Sequence, residues 1–241
     1  MTARSPVGDA ADAARRLKEK GSPERARVLQ RFFRTGKGEY GEGDRFYGVP
    51  VPETRKLARQ CRSLERKEVE KLLRSPFHEE RLLALIILVE RYRDGGEGRR
   101  GAIYRLYLKS TRWINSWDLV DTSAEHIVGA HLLERDRAPL TRLARSPSLW
   151  ERRIAVMSTF HFIRNGEFGD TLRIAELFLE DGEDLIHKAA GWMLREVGNR
   201  DRGVEEIFLK KHCRTMPRTM LRYAIEKFPE PLRQRYLRGK T

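Results

Sequence analysis

Apolar residues along this chain recur three and four positions apart, and runs that alternate apolar and polar residues are nearly absent. The pattern predicts helices over 9–20, 22–35, 51–61, 65–74, 77–93, 99–109, 115–133, 137–145, 148–164, 168–180, 184–198, 202–213, 216–227 and 230–238, joined by short connections. Start signals support them. Ser22-Pro23-Glu24 puts a capping Ser before a first-turn Pro, and Ser75-Pro76 and Ser146-Pro147 read the same way. The stretch "LLALIILV" at 82–89 is apolar all round, which predicts a buried helix too short to span a bilayer. "RYRDGGEGRRG" at 91–101 reads as a flexible loop.

A repeat runs through the helices. "RSPFHEERLLA" at 74–84 matches "RSPSLWERRIA" at 145–155. Arg81, Trp117, Arg152 and Lys188 follow one another at steps of 36, 35 and 36 residues. That period is one helix pair, and stacked pairs bury a core by contact between neighbours. The expectation is an all-α fold: a right-handed α-solenoid of HEAT-like helix pairs with a concave basic face. It forms one domain over 1–241, in which 1–48 does not follow the repeat.

Charge narrows the function. Lys and Arg number 49 against 35 Asp and Glu, a net charge of +14, which favours a polyanionic partner. Two cysteines, Cys61 and Cys213, with no CxxC spacing, argue against a disulfide scaffold or a Cys-based zinc site. The first twenty residues carry no apolar signal-peptide core, so a cytoplasmic, nucleoid-associated protein is expected, with no membrane partner.

Three helices place polar or aromatic residues where the period calls for something else. In "INSWDLVDTSAEHI" (114–127), Trp117 and Asp121 share a face that Ala124 and Val128 continue. In 149–162, Arg153 lies in an apolar stripe with Trp150, Met157 and Phe160. A buried Arg needs a carboxylate, and Asp121 is one repeat away. In 184–198, Ile186, Ala190, Met193 and Val197 form the core stripe, which leaves Trp192 between Lys188 and Arg195 on the opposite side. Packing of Trp192 on a neighbouring helix and a structural ion pair between Arg153 and Asp121 explain these features without function. The functional alternative is a carboxylate held by Arg153 in a pocket lined by Trp117 and Trp192. Such a pocket suits an alkylated purine: the indoles hold a cationic base, and the carboxylate stabilises positive charge on the sugar as the glycosidic bond breaks.

These residues carry a family resemblance. "GEYGEGDRFYGVPVPETRKLAR", "SWDLVD", "WERRIAVMS" and "KAAGWMLREVG" together resemble the AlkD-like DNA glycosylases over about 24–235. That resemblance implies a monofunctional glycosylase that removes N3- and N7-alkylated purines such as 3-methyladenine and 7-methylguanine from duplex DNA, as a monomer without cofactor or metal. It implies Trp117 and Trp192 as aromatic pocket residues and Asp121 as the catalytic carboxylate. Arg153 corresponds to the Arg that contacts DNA near that Asp, Arg195 to a backbone-binding Arg, and Tyr40 to a pocket Tyr. Lys188 is a further candidate for phosphate, on the charge argument. Where the family pattern has Lys at a phosphate contact, this chain has His161, mostly neutral at pH 7.

Other signals are set aside. "GKGEYG" at 36–41 fits GxGxxG but follows a helix, so it reads as a mobile Gly-rich loop. His126 and His131 lack metal-ligand spacing. His78, His187 and His212 are expected as caps or surface residues, and Glu79-Glu80 as a helix N-terminus complementing its dipole. Two rival readings share the helical repeat: a non-catalytic solenoid that binds damaged or branched DNA, and a protein-binding scaffold.

Overall fold

The structure, a computed structural model, describes residues 7–240. Among the described residues six α-helices lead to the segment that carries Trp117: α1 (Ala10–Lys18), α2 (Pro23–Phe32), α3 (Val51–Gln60), α4 (Arg66–Leu73), α5 (His78–Arg93) and α6 (Glu97–Lys109), and that segment is α7 (Trp117–Ala124). A π turn (Glu125–Gly129) and α8 (Ala130–Leu132) follow. Then come α9 (Ala138–Ala144), α10 (Leu149–Arg164), α11 (Gly169–Leu177), α12 (Asp184–Gly198), α13 (Arg202–His212), α14 (Arg218–Ala224) and α15 (Glu230–Leu237). Among the described residues there is no strand, only an isolated bridge between Arg45 and Phe77, so the fold class is all-α as expected. No helix among them is long and apolar enough to cross a membrane.

By its internal contacts the chain divides into two compact units between Ser123 and Ala124. In the first, α5 is the central helix. Residues 81–88 are buried without interruption, because α3, α4 and α6 all pack on it. In the second, α10 packs on α12 and α12 on α14, while α9 lies on α10 and α11 on both α10 and α12. This is the stacking of helix pairs that the period of about 36 residues calls for. Close approach enforces it: a Cβ at Gly191 of α12 would stand 2.4 Å from the Met220 carbonyl oxygen of α14.

The sequence repeat is also a structural one. Arg81 Nη1 donates to the Ser75 carbonyl at 2.9 Å, and Arg152 Nη1 to the Ser146 carbonyl at 3.1 Å. Each guanidinium also holds an acid, Asp44 for Arg81 and Asp181 for Arg152. The two RSP serines do not cap helices in the way expected. Ser75 and Ser146 accept the N–H two residues on, at 3.0 and 3.1 Å, and so shape the turn before each helix. Ser148 is the actual N-cap of α10, and Phe77 precedes α5.

Two further expectations are corrected. The loop predicted at 91–101 shrinks to 94–96, because Arg100 of α6 bonds the Tyr92 and Arg93 carbonyls at the end of α5 and ties the helices together. The continuous helix predicted over 115–133 is interrupted by the π turn. There a Cβ at Gly129 would lie 2.2 Å from the Ser158 carbonyl oxygen, so the turn sits directly on the backbone of α10.

Candidate active site

In the first unit the candidate residues converge on α7. Trp117, its first residue, stacks on Phe33 with ring centroids 5.4 Å apart and planes 15° apart. Phe32 meets it edge-on at 6.0 Å. Phe33 stacks in turn on Phe46 at 5.1 Å. Phe33 and Phe46 are buried, whereas Phe32 is 61% exposed, so the aromatic cluster rests on core and opens to solvent through Phe32 and half-buried Trp117. Tyr40 joins from the Gly-rich segment; its hydroxyl donates to the Phe32 carbonyl at 3.4 Å. That segment is built of turns, with the Glu39 and Glu42 carboxylates accepting from the Gly36 and Gly38 N–H groups.

Asp121 follows Trp117 by one turn and is half-buried. Beneath it, Ser123 Oγ donates to the Leu119 carbonyl at 2.6 Å and receives the Tyr107 hydroxyl at 2.9 Å. Burial raises the pKa of that fully enclosed phenol, and the negative charge of Asp121 adds to the effect. The Tyr107 hydroxyl is therefore a neutral donor that fixes the α7 backbone under Asp121.

His78 is neither the cap nor the surface residue expected. It is 2% exposed at the start of α5, with Nδ1 donating to Asp44 at 2.8 Å and Nε2 donating to Asp118 of α7 at 2.7 Å. Burial alone would neutralise the ring, but the charges and hydrogen bonds of Asp118 and Asp44 outweigh it and push its pKa up to about 9. Its ring stacks on Phe46 at 4.7 Å and lies 4.9 Å from Phe33. Arg81 completes the group, with Nη2 donating to both oxygens of Asp44 at 2.8 Å. Burial opposes the charge on Asp44, yet His78 and Arg81 hold its carboxyl below the usual range. A cationic imidazole thus pins the first turn of α7, next to Trp117. Glu79 plays a separate part. It accepts the N–H groups of Tyr47, Gly48 and Val49 and anchors the chain that leads into α3.

In the second unit, Arg153 is 5% exposed and donates to the Leu185 carbonyl at 2.6 Å, at the start of α12. Ile186, Ala190, Met193 and Val197 are fully buried, and Lys188, Trp192 and Arg195 are half-buried on the other side of α12. Trp192 tilts over Phe160 at 6.2 Å, and its Nε1 donates to Glu196 at 3.3 Å. Phe160 lies under the guanidiniums of Arg164 and Arg200, 4.5 and 5.7 Å from its centroid. The cations beside Trp192 both have carboxylate partners, Asp184 for Lys188 at 2.7 Å and Glu226 for Arg195. Burial lowers the pKa of His161 and so favours its neutral form. Among the described residues no three His, Cys, Asp or Glu side chains are grouped to hold a metal ion.

The DNA alkylation repair enzyme family model matches residues 13–228. The chain belongs to that family. A solved structure described as a "predicted DNA alkylation repair enzyme from Enterococcus faecalis" is similar over 88% of this chain and 98% of its own, with a TM-score of 0.68. At 16% identity that likeness shows the shared fold. No protein of curated function matches.

The His78 network escaped the sequence because only Arg81 falls in the repeat, while Asp44, His78 and Asp118 are scattered along the chain without a periodic signature. The adjacent Phe32-Phe33 pair was the available clue to the floor beneath Trp117.

Proposed function

We propose that this protein is a monofunctional DNA glycosylase that releases cationic N3- and N7-alkylated purines, such as 3-methyladenine and 7-methylguanine, from duplex DNA. The observation that carries the reading is the α7 arrangement: an indole stacked on Phe33 and partly open to solvent, with a carboxylate one turn further along the same helix. The aromatic face attracts the positively charged base. Asp121 faces the sugar. As the bond between C1′ and the purine nitrogen breaks, its electron pair returns to the base and cancels the base's charge. Positive charge develops on the sugar, where a fixed carboxylate lowers the barrier. The oxygen of a water molecule adds to C1′, and the proton it loses passes to Asp121. Arg153 and Arg195 are assigned to phosphates of the DNA backbone, as is Lys188. Trp192 is assigned to an aromatic contact with the nucleotide.

The test is release of methylated bases from duplex DNA by the wild type and Asp121→Asn. The substitution keeps the shape and removes the charge. Release should fall by about a hundredfold to ten thousandfold, with DNA affinity unchanged. Wild-type release by Asp121→Asn would refute the mechanism. No release by either protein, with salt-sensitive binding to DNA retained, would assign the chain to non-catalytic recognition of damage.

A further inference from the structure

The first unit holds a cavity built of residues with no part in the α7 arrangement. It has a volume of about 370 Å³ and lies where the α3–α4 connection meets α5 and α6. Its floor is apolar: Leu64, Leu88, Ile103 and Leu106, each buried. Four arginines rim it, namely Arg62, Arg66, Arg91 and Arg99.

The charges on that rim do not balance. Arg62 pairs with Glu90 at 3.1 Å, and Arg66 with Glu70 at 2.7 Å, a carboxylate that Arg74 shares at 3.5 Å. Arg91 donates from Nη2 to the carbonyls of Arg62 and Leu64, which leaves Nε and Nη1, and it pairs with no acid among the described residues. Arg99 likewise has no carboxylate within 4.0 Å among them. Two guanidiniums therefore face each other over one apolar floor. Their repulsion is felt: burial lowers the pKa of Arg91, and the positive charge of Arg99 lowers it further. Like charges beside buried leucines oppose each other, and an anion between them relieves that opposition.

We propose that this cavity binds a phosphate monoester with an apolar or aromatic body. The dianionic head supplies the two charges that Arg91 and Arg99 lack, in the forked geometry guanidiniums favour. The body covers Leu64, Leu88, Ile103 and Leu106. The volume suits a ligand of that size. A backbone phosphodiester of DNA fits less well, because it carries one charge and has no use for the floor. The site is independent of the glycosylase reading.

Calorimetric titration of the full chain with inorganic phosphate, hexyl phosphate and adenosine monophosphate tests the idea. At least one of the two esters should bind tenfold or more tightly than inorganic phosphate. The better of the two tells whether the body is an alkyl chain or a nucleoside. Arg99→Gln, at an exposed position, should weaken that ester at least tenfold with an unchanged urea midpoint. Ala102→Glu, which puts an acid at the half-exposed rim, should do the same and serves if Arg99→Gln does not fold. Esters that bind no better than inorganic phosphate would overturn the proposal, as would ester affinity untouched by both substitutions.

Discussion

Phe32 is the residue where function and stability separate most cleanly. It is 61% exposed and meets Trp117 edge-on, so it contributes little to the core and much to the shape of the surface beside the indole. Phe32→Ala should change stability by no more than about 0.5 kcal/mol, as exposed positions generally do. In the proposed reading it should still slow base release, and a comparison of kcat/KM with the urea midpoint checks both halves. His78 is the opposite case. His78→Gln removes the cation from between buried Asp44 and half-buried Asp118, and breaking a buried pair costs about 3–5 kcal/mol. Measured in urea, that loss should exceed the effect of Phe32→Ala severalfold. At this scale the sequence was informative about Trp117 and Asp121, because helical spacing alone places them on one face. It misplaced His78 as a cap or surface residue, because its burial is decided by Phe33, Phe46 and two acids from distant segments.

At the scale of elements the helices were legible to within a few residues, since their boundaries follow from local capping and periodicity. Ser22 accepts the Arg25 N–H before α2, as Ser-Pro-Glu implied. The π turn was not legible. "EHIVG" has ordinary helical spacing, and the extra residue in the turn is accommodated by contact with α10, which no local pattern encodes. What the sequence does carry is the glycine that permits the contact. Gly129→Ala would drive a methyl group to 2.2 Å from the Ser158 carbonyl oxygen and 2.8 Å from Cβ of His161. Forcing the π turn off α10 should cost about 1–3 kcal/mol. Chemical denaturation reads the loss. A Gly129→Ala protein as stable as the wild type would mean that the turn can relax without α10.

Across the whole molecule buried ionisable groups shape how stability changes with pH, Glu205 and His78 foremost. Glu205 of α13 is 2% exposed, its Oε1 has no hydrogen-bond partner in the protein, and burial pushes its pKa up to about 8. From its ordinary value of 4.5 up to about 8, the folded chain holds a proton that the unfolded chain has released. Stability therefore falls as pH rises through that window. His78 has a pKa raised from 6.5 to about 9, so its contribution is complete below 6.5 and lost as pH passes 9. The two windows overlap, and both slopes have the same sign. His161 and His212, whose pKa values burial lowers, oppose this slope below about pH 6.5. The midpoint of urea denaturation should therefore decline from about pH 6.5 to pH 9, where a basic protein with ordinary carboxylates and histidines would hold level. Each group can be removed in turn. Glu205→Gln should lessen the slope up to pH 8 and leave the His78 decline from 6.5 towards 9. His78→Gln should lower the whole curve and abolish the decline above 8. If Glu205→Gln leaves the slope intact, Glu205 is charged in the fold at neutral pH and its raised pKa is wrong.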